Sequence, residues 1–485
     1  MRKPSKFAAC MMARNFISFF LVLVLAALAF VTGPGCANMI PPSGGPKDSI
    51  PPQLLEVTPG DSSLNFTGNR IVFTFDEFID LQNVQENVMV SPSPQVSPAI
   101  DFKLRTMTVR LRDTLEANTT YSINFGEAVK DFTEGNPARG FTYTFSTGSY
   151  IDSLTLTGKV VLAETGGLDT TLSVMLHTDP SDSAVVKKKP RYIARLDSKG
   201  NFMFRNLPER TFYIYALKDE GGTRRYFEEK QLFAFADSGI TVSQSNSPVT
   251  LYAYSTTTVD KPASIAPPVS NNNNRRNAVS AAPRLKFETN LANGLHDLMS
   301  NLVLTFEDSL RKYDSTLIRL YRDSAFNPVT SYRFLLDSTG RKLELQHDYQ
   351  ENTLYHIILD KQFASGANGV QLLKTDTLSF TTRKRSEYGS LRLRMRNVDL
   401  SKNPVLQVVM NGNVYKSFPL KGPDLEQPLF LPGEFDLRIL YDDNGNGVWD
   451  PGQFFGKKRQ PEIVKQLERR LTVKANWTNE FEIAL

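Results

Sequence analysis

Side chains able to do chemistry are sparse in this chain, and the scarcest is the thiol: its 485 residues include two cysteines, Cys10 and Cys36. Arg2, Lys3, Lys6 and Arg14 surround the start of an apolar run of 16 residues, Phe16 to Val31, and Gly33-Pro34-Gly35 stands just before Cys36. The run is shorter than the ~20 residues a spanning helix needs. A basic start, a short apolar run and a small-residue site compose an export signal that ends in a lipidation cysteine. Cleavage there removes Cys10 and makes Cys36 the first residue of the mature chain. It is then open to acylation, while an internal disulfide, a thiolate metal site and a Cys nucleophile are all excluded.

Oxygen donors cluster once. In the run from Asp442 to Asp450, the residues Asp442, Asn444, Asn446 and Asp450 recur at alternate positions around a Gly-rich turn. Calcium takes six to eight oxygens, and this spacing echoes the first half of a calcium loop. The twelfth position is Gln453 rather than the usual bidentate Glu, so Asp450 would have to substitute. The same residues also make an Asn-Gly turn between two strands, and both readings stand on sequence alone. Calcium is the one cofactor the sequence suggests.

No catalytic set assembles. His177, His296, His347 and His356 are scattered along the chain, and His356, beside Tyr355 on a predicted strand, suits a hydrogen-bonded structural role. Nucleophile elbows, zinc-binding helices and phosphate-binding Gly loops do not occur. The acidic pairs Asp76-Glu77 and Glu307-Asp308 end predicted strands, where adjacent side chains point to opposite faces. The expectation is a protein that is not an enzyme. Charge argues against a further class. Four basic and no acidic residues precede Cys36, so the mature chain carries 52 basic against 51 acidic residues, and four of the five net positive charges belong to the signal. No nucleic-acid partner is expected.

The elements that hold these residues read as strands. Ile71-Phe73-Phe75, Met107-Val109-Leu111, Tyr121-Ile123-Phe125 and Tyr143-Phe145 alternate apolar with polar positions between turn-rich segments, the signature of sheets with one buried face. Helical periodicity is confined to a short helix around Leu81 to Val88 and another near Glu462 to Arg470. The expected fold is all-β, a series of tandem antiparallel β-sandwiches. Repeats refine it. Ile71 to Glu77 returns as Leu302 to Asp308, Asn118 to Ile123 as Asn352 to Ile357, and Phe145-Ser146-Thr147 as Phe380-Thr381-Thr382. A second pair of related phrases is Asn206-Leu207-Pro208 before Phe212 to Leu217, and Phe430-Leu431-Pro432 before Phe435 to Leu440.

These phrases carry resemblances. Pro51-Pro52, Val57-Thr58-Pro59, Ile71 to Glu77, Leu115 to Tyr121 and Tyr143 to Thr147 resemble the bacterial Ig-like domain of the S-layer SbsA type, which implies about seven strands and no catalytic apparatus. Gly200 to Phe204 with Asn206-Leu207-Pro208 resembles the carboxypeptidase-regulatory or transthyretin-like sandwich. The chain then divides into a signal peptide (1–35), a Pro/Gly tether (36–50), an Ig-like domain (51–150), a transthyretin-like sandwich (151–255), a low-hydrophobicity linker (256–283), a diverged Ig-like domain (284–385) and a second transthyretin-like sandwich (386–485) with the Asp/Asn loop. Ordering the linker would cost more entropy than its burial returns. Two such pairs joined by a flexible linker predict an articulated rod.

The signal segment resembles that of bacterial lipoproteins, in which the cysteine is acylated and signal peptidase II cuts before it; Gly33 stands where Leu is usual. The composition around Gly44 to Asp48 resembles Bacteroidota outer-membrane lipoproteins with Ig-like domains. In that group surface export usually goes with acids after the cysteine, whereas Ala37-Asn38-Met39-Ile40 follows here, which favours the periplasmic face. An extended tether at ~3.1 Å per residue reaches roughly 50 Å from the membrane. Asp followed by Ser or Thr and a third small or apolar residue resembles the O-glycosylation motif of Bacteroidota envelope proteins, with Ser49, Thr114, Ser153 and Ser309 as acceptors; such dipeptides also open ordinary turns. The expected function is a non-enzymatic, lipid-anchored scaffold or protein-binding module, its partners the membrane and another envelope protein. The alternative is a surface adhesin or glycan-binding accessory, which predicts exposed aromatics clustered on one sheet face. Oligomeric state is not legible.

Overall fold

The computed structural model describes residues 48–256, 284–366 and 369–485. Cys36 and its signal, the tether through Lys47, and the linker after Thr256 lie outside them. The described residues form four β-sandwiches, each with its own apolar core.

In the first sandwich, the strand Arg70–Phe75 buries Ile71, Phe73 and Phe75 while its other residues face outward. It lies in an antiparallel sheet in the order Leu54–Thr58, Arg70–Phe75, Thr106–Arg110, Ala99–Lys103. The facing sheet is Met89–Ser91, Thr120–Asn124, Thr142–Ser146, and Phe73 meets Tyr143 edge-on across the gap at 5.4 Å. The third sandwich repeats this order with Phe287–Thr289, Leu302–Phe306, Lys342–Gln346 and Arg333–Leu336.

The repeated phrase marks the same device twice. Asn118 and Asn352 both take left-handed backbone, at φ 50° and 51°. Three residues on, the hydroxyl of Tyr121 accepts from the Glu116 amide at 2.9 Å and that of Tyr355 from the Gln350 amide at 3.1 Å. Thr147 and Thr382 then donate to the carbonyls of the same two residues, Glu116 and Gln350. A tyrosine ring stacks on a phenylalanine behind each corner, Tyr121 on Phe145 and Tyr355 on Phe380. These corner bonds tie loops whose polar groups would otherwise be left without partners beside the core.

The second sandwich opposes the three strands Asn201–Leu207, Leu154–Leu162, Val249–Ala253 to a five-stranded sheet ordered Tyr192–Arg195, Ser173–His177, Thr211–Leu217, Phe233–Phe235, with Ile240–Thr241 also paired to Thr211–Leu217. Its first and last long strands, Leu154–Leu162 and Val249–Ala253, pair in parallel. The fourth sandwich has the same plan. Asp424–Phe430, Gly389–Arg396 and Thr478–Ala484 face Asn413–Pro419, Pro404–Met410, Gly433–Tyr441 and Ile463–Val473, and Gly389–Arg396 runs parallel to Thr478–Ala484.

One helix expectation holds and one fails. Around Leu81 to Val88 there is a short helix of a single turn, Val84–Asn87. Glu462 to Arg470 is not a helix: Ile463–Val473 is a strand of 11 residues paired with Gly433–Tyr441. It is an edge strand with a bulge, and edge strands carry charge on their open side. Lys465, Glu468, Arg469 and Arg470 meet that need, and their polar run imitated a helix face.

The articulated rod is also corrected. The outer faces of equivalent sheets in the second and fourth sandwiches meet in a shared core of Met175, Tyr215, Phe233, Phe235 and Tyr254 with Val405, Leu440, Trp449, Phe454 and Val464. The Phe454 ring lies 5.1 Å from Phe233, 5.1 Å from Phe235 and 5.7 Å from Tyr215. The Val464 amide donates to the Ala163 carbonyl at 2.9 Å, and the Gln460 side chain to the Phe235 carbonyl at 3.0 Å. Gly452 lets the chain pass the Tyr254 ring, where a Cβ would sit 2.7 Å from the nearest ring carbon. The first and second sandwiches are held by a bidentate pair, Arg191 to Glu116 at 2.8 and 2.7 Å, which lowers the Glu116 pKa. Truncating a buried Phe costs ~3–5 kcal/mol. Phe454→Ala is therefore expected to separate the two halves, seen as a larger radius of gyration in small-angle X-ray scattering; an unchanged radius would show that the shared core does not set the arrangement.

Candidate functional site

The Asp/Asn loop leaves the strand Gly433–Tyr441 at the edge of the shared core. Asp442 is almost fully buried. Its Oδ1 accepts from the amides of Gly445 at 2.7 Å and Asn446 at 3.2 Å, and its Oδ2 from Gly447 at 2.6 Å. Gly445 and Gly447 have φ of 73° and 80°, backbone that excludes most other residues. Asn444 and Asn446 both donate side-chain amides to Asp450 Oδ2. The loop thus brings together all four residues singled out from the sequence, and its hydrogen bonds are those of a self-capped turn.

Glu462, which sequence reasoning placed in a helix, completes the cluster. Its carboxylate accepts from the amides of Asp443 at 3.0 Å and Asp450 at 2.9 Å, and its carbonyl from the Trp449 indole at 2.8 Å. Burial pushes its pKa up, and the charges of Asp442 and Asp450 add to that. Its distance along the chain left no local signal. Among the described residues no three His, Cys, Asp or Glu side chains gather closely enough to hold a metal, so a cation here would draw on the Asn side-chain oxygens and on backbone carbonyls. Rotating an Asn amide by 180° presents oxygen where nitrogen now stands.

Beside the loop, the second and fourth sandwiches leave a groove of about 1120 Å³. From the fourth sandwich, Ser417, Gln407 and Arg438 line it in one cross-strand row, with Gln407 opposite both of the others. Gln407 interrupts an otherwise apolar strand, is 6% exposed, and its Oε1 has no partner among the described residues. Arg438 makes no hydrogen bond or ion pair among the described residues; burial lowers its pKa, against the pull of Asp436 and Glu164. The opposite wall carries Glu164, Glu220, Glu228 and the Lys218–Asp169 pair at 3.4 Å. The groove mixes polar and apolar side chains and both signs of charge and is open, a surface for a chain or headgroup more than for a small apolar ligand.

The histidines do not line it. Three of them, His296, His347 and His356, share the third sandwich, and the rings of His296 and His347 flank Tyr349 at 4.4 and 5.1 Å, closer than their scatter in the sequence suggested. His296 and His177 are buried, and His356 Nδ1 bonds the Ser379 hydroxyl at 2.7 Å. The acceptors Ser49, Thr114, Ser153 and Ser309 are all exposed. Tyr215 belongs to the shared core and Phe212 to the core of the second sandwich.

Residues 48–147, the span of the first sandwich, match the bacterial Ig-like domain family. No curated protein matches the chain. Among solved structures, an alpha-2-macroglobulin from Escherichia coli aligns at 15% identity over 39% of this chain and 72% of its own, with a TM-score of 0.19. An L,D-transpeptidase from Mycobacterium smegmatis aligns at 12% identity over 30% and 74%, with a TM-score of 0.15. The major pilin subunit of Bacillus cereus aligns at 9% identity over 68% and 99%, with a TM-score of 0.16.

Burial lowers the pKa of His177 and of His296 to about 4. Between about 6.5 and about 4 each unfolded imidazole binds a proton that the folded one refuses, so stability is full above 6.5 and is lost as pH falls to 4. The loss should be on the order of 3 kcal/mol per histidine. Denaturant unfolding at pH 7 and pH 4.5 checks this, and His296→Phe should flatten the third sandwich's share; equal midpoints at the two pH values would contradict it.

Proposed function

We propose that the chain is a non-enzymatic, lipid-anchored envelope protein that acts as a scaffold or protein-binding module at the outer membrane, on its periplasmic face. The observation that carries this reading is the shared core of the second and fourth sandwiches, which packs the two against each other beside a formed groove. Rigid grooves suit binding because little ordering entropy remains to be lost on association. An adhesin would gather exposed aromatics on one sheet face; here Phe78 and Phe132 lie on loops, and Phe102 is the exposed aromatic on a strand. Cys36 supplies the anchor, and the exposed acceptors Ser49, Thr114, Ser153 and Ser309 are open to glycosylation.

One set of experiments on natively expressed protein tests this reading. Intact mass should show an acylated Cys36 at the N-terminus, together with added hexose. Protease should spare the protein on intact cells, and a photo-crosslinker at Val448, on the groove rim, should capture an envelope protein less well when Arg438 is Glu. Protease digestion on intact cells would move the protein to the outer face and support the adhesin reading. An unmodified Cys36 would remove the anchor.

We also propose calcium as an occupant of the loop, supported by the convergence of Asn444 and Asn446 on Asp450 beside the buried Glu462. Asp442 keeps unused lone pairs after accepting its three amides. Calorimetric titration of the whole mature chain should give heat and a thermal upshift at millimolar calcium, both lost in Asp450→Asn. Absence of both in the parent protein would leave the loop as a turn.

A further inference from the structure

One end of the first sandwich holds large apolar side chains out of the protein. Phe132 is 70% exposed, Leu104 62%, Ile50 57% and Phe78 51%. They are neighbours: the Phe132 amide donates to the Phe78 carbonyl at 3.0 Å, and the Ile79 amide to the Leu104 carbonyl at 3.0 Å. Ile50 belongs to the segment that enters the domain here, where Asn136 donates to the Asp48 carbonyl at 3.0 Å and the Gln53 amide to Asp76 at 2.8 Å.

The exposure is built into the structure. The buried Asp131 carboxylate accepts from the amides of Glu134, Gly135 and Asn136 and lies next to Phe132, fixing the loop that displays the ring. The Arg105 guanidinium lies 5.4 Å from the Phe78 ring centroid. A fixed cluster of this kind, rimmed by polar groups, marks a surface that something covers.

We infer that this tip seats on the lipid surface. The chain enters the domain at the tip, and Cys36 lies 12 residues before Asp48, so an extended tether spans at most about 40 Å. The tip is therefore the end of the folded protein nearest the acyl anchor, and this inference rests on the anchored reading given above. Phe, Leu and Ile suit the acyl boundary, and Arg105, Lys103 and Lys130 suit headgroup phosphates. Asp76, Glu77 and Glu134 border the same tip, so apolar contact rather than net charge carries the binding. An anchor holds one end of the chain at the bilayer and leaves the domain free to turn, and a second contact sets its orientation.

The test uses the whole mature chain, expressed without residues 1–35 and with Cys36→Ser, floated with vesicles of phosphatidylethanolamine and phosphatidylglycerol. The protein should float with the vesicles, change little with salt, and partition about tenfold less when Phe78→Ser and Phe132→Ser are combined. Thermal unfolding of the double variant should match the parent, since both rings are exposed. Failure of the parent to float, or equal flotation of the double variant, overturns the inference, as does concentration-dependent self-association that the double variant abolishes. The anchor is read separately by N-terminal mass: acylated Cys36 without vesicle binding sinks only the seating surface, and vesicle binding with unmodified Cys36 sinks only the anchor.

Discussion

Phe454 reaches from a loop of the fourth sandwich into the rings of Tyr215, Phe233 and Phe235 of the second, and the arrangement of the chain depends on that contact. Each of the four sandwiches can bury one face of its sheets internally. The second and fourth each have a further outer face too apolar to leave in water, and the two faces cover each other. Dispersion and desolvation over such an area outweigh the entropy of tying the halves together, because the connection between them only has to close a loop. The glycine at 452 and the backbone bond from Val464 to Ala163 show how close the approach is.

The docking also divides one sheet face into two uses. Val405, Leu440 and Val464 enter the shared core, while Gln407 and Arg438, two residues along the same strands, face the groove. Because strand side chains alternate with a period of two, the same face carries both sets, and the boundary between them is the edge of the contact. The Asp/Asn loop stands at this boundary. Its buried carboxylates fix Trp449 against the core on one side and leave Val448 exposed on the other.

The sandwiches were legible because alternation is a direct record of burial on one face. Ile71, Phe73 and Phe75 announced a strand, and the repeated Asn-x-x-Tyr phrase encoded a left-handed Asn and a hydroxyl that caps a loop. The shared core was not legible, since Tyr215 and Phe212 look alike in sequence whether a strand buries one face or two. Ile463–Val473 was misread because the charges of an edge strand resemble a solvated helix face. At the loop, Asp442 to Asp450 could be found from spacing. Glu462 could not, because it reaches the cluster through the return of a neighbouring strand.

The parallel pairing of Leu154–Leu162 with Val249–Ala253 bears on mechanics. In that geometry the chain enters the second sandwich at one end of the paired strands and leaves at the other. Tension applied between the two ends of the domain would load all the inter-strand hydrogen bonds together, in shear. An antiparallel pair pulled from one end opens rung by rung. A chain pulled from both ends through this domain would therefore meet it as a clamp.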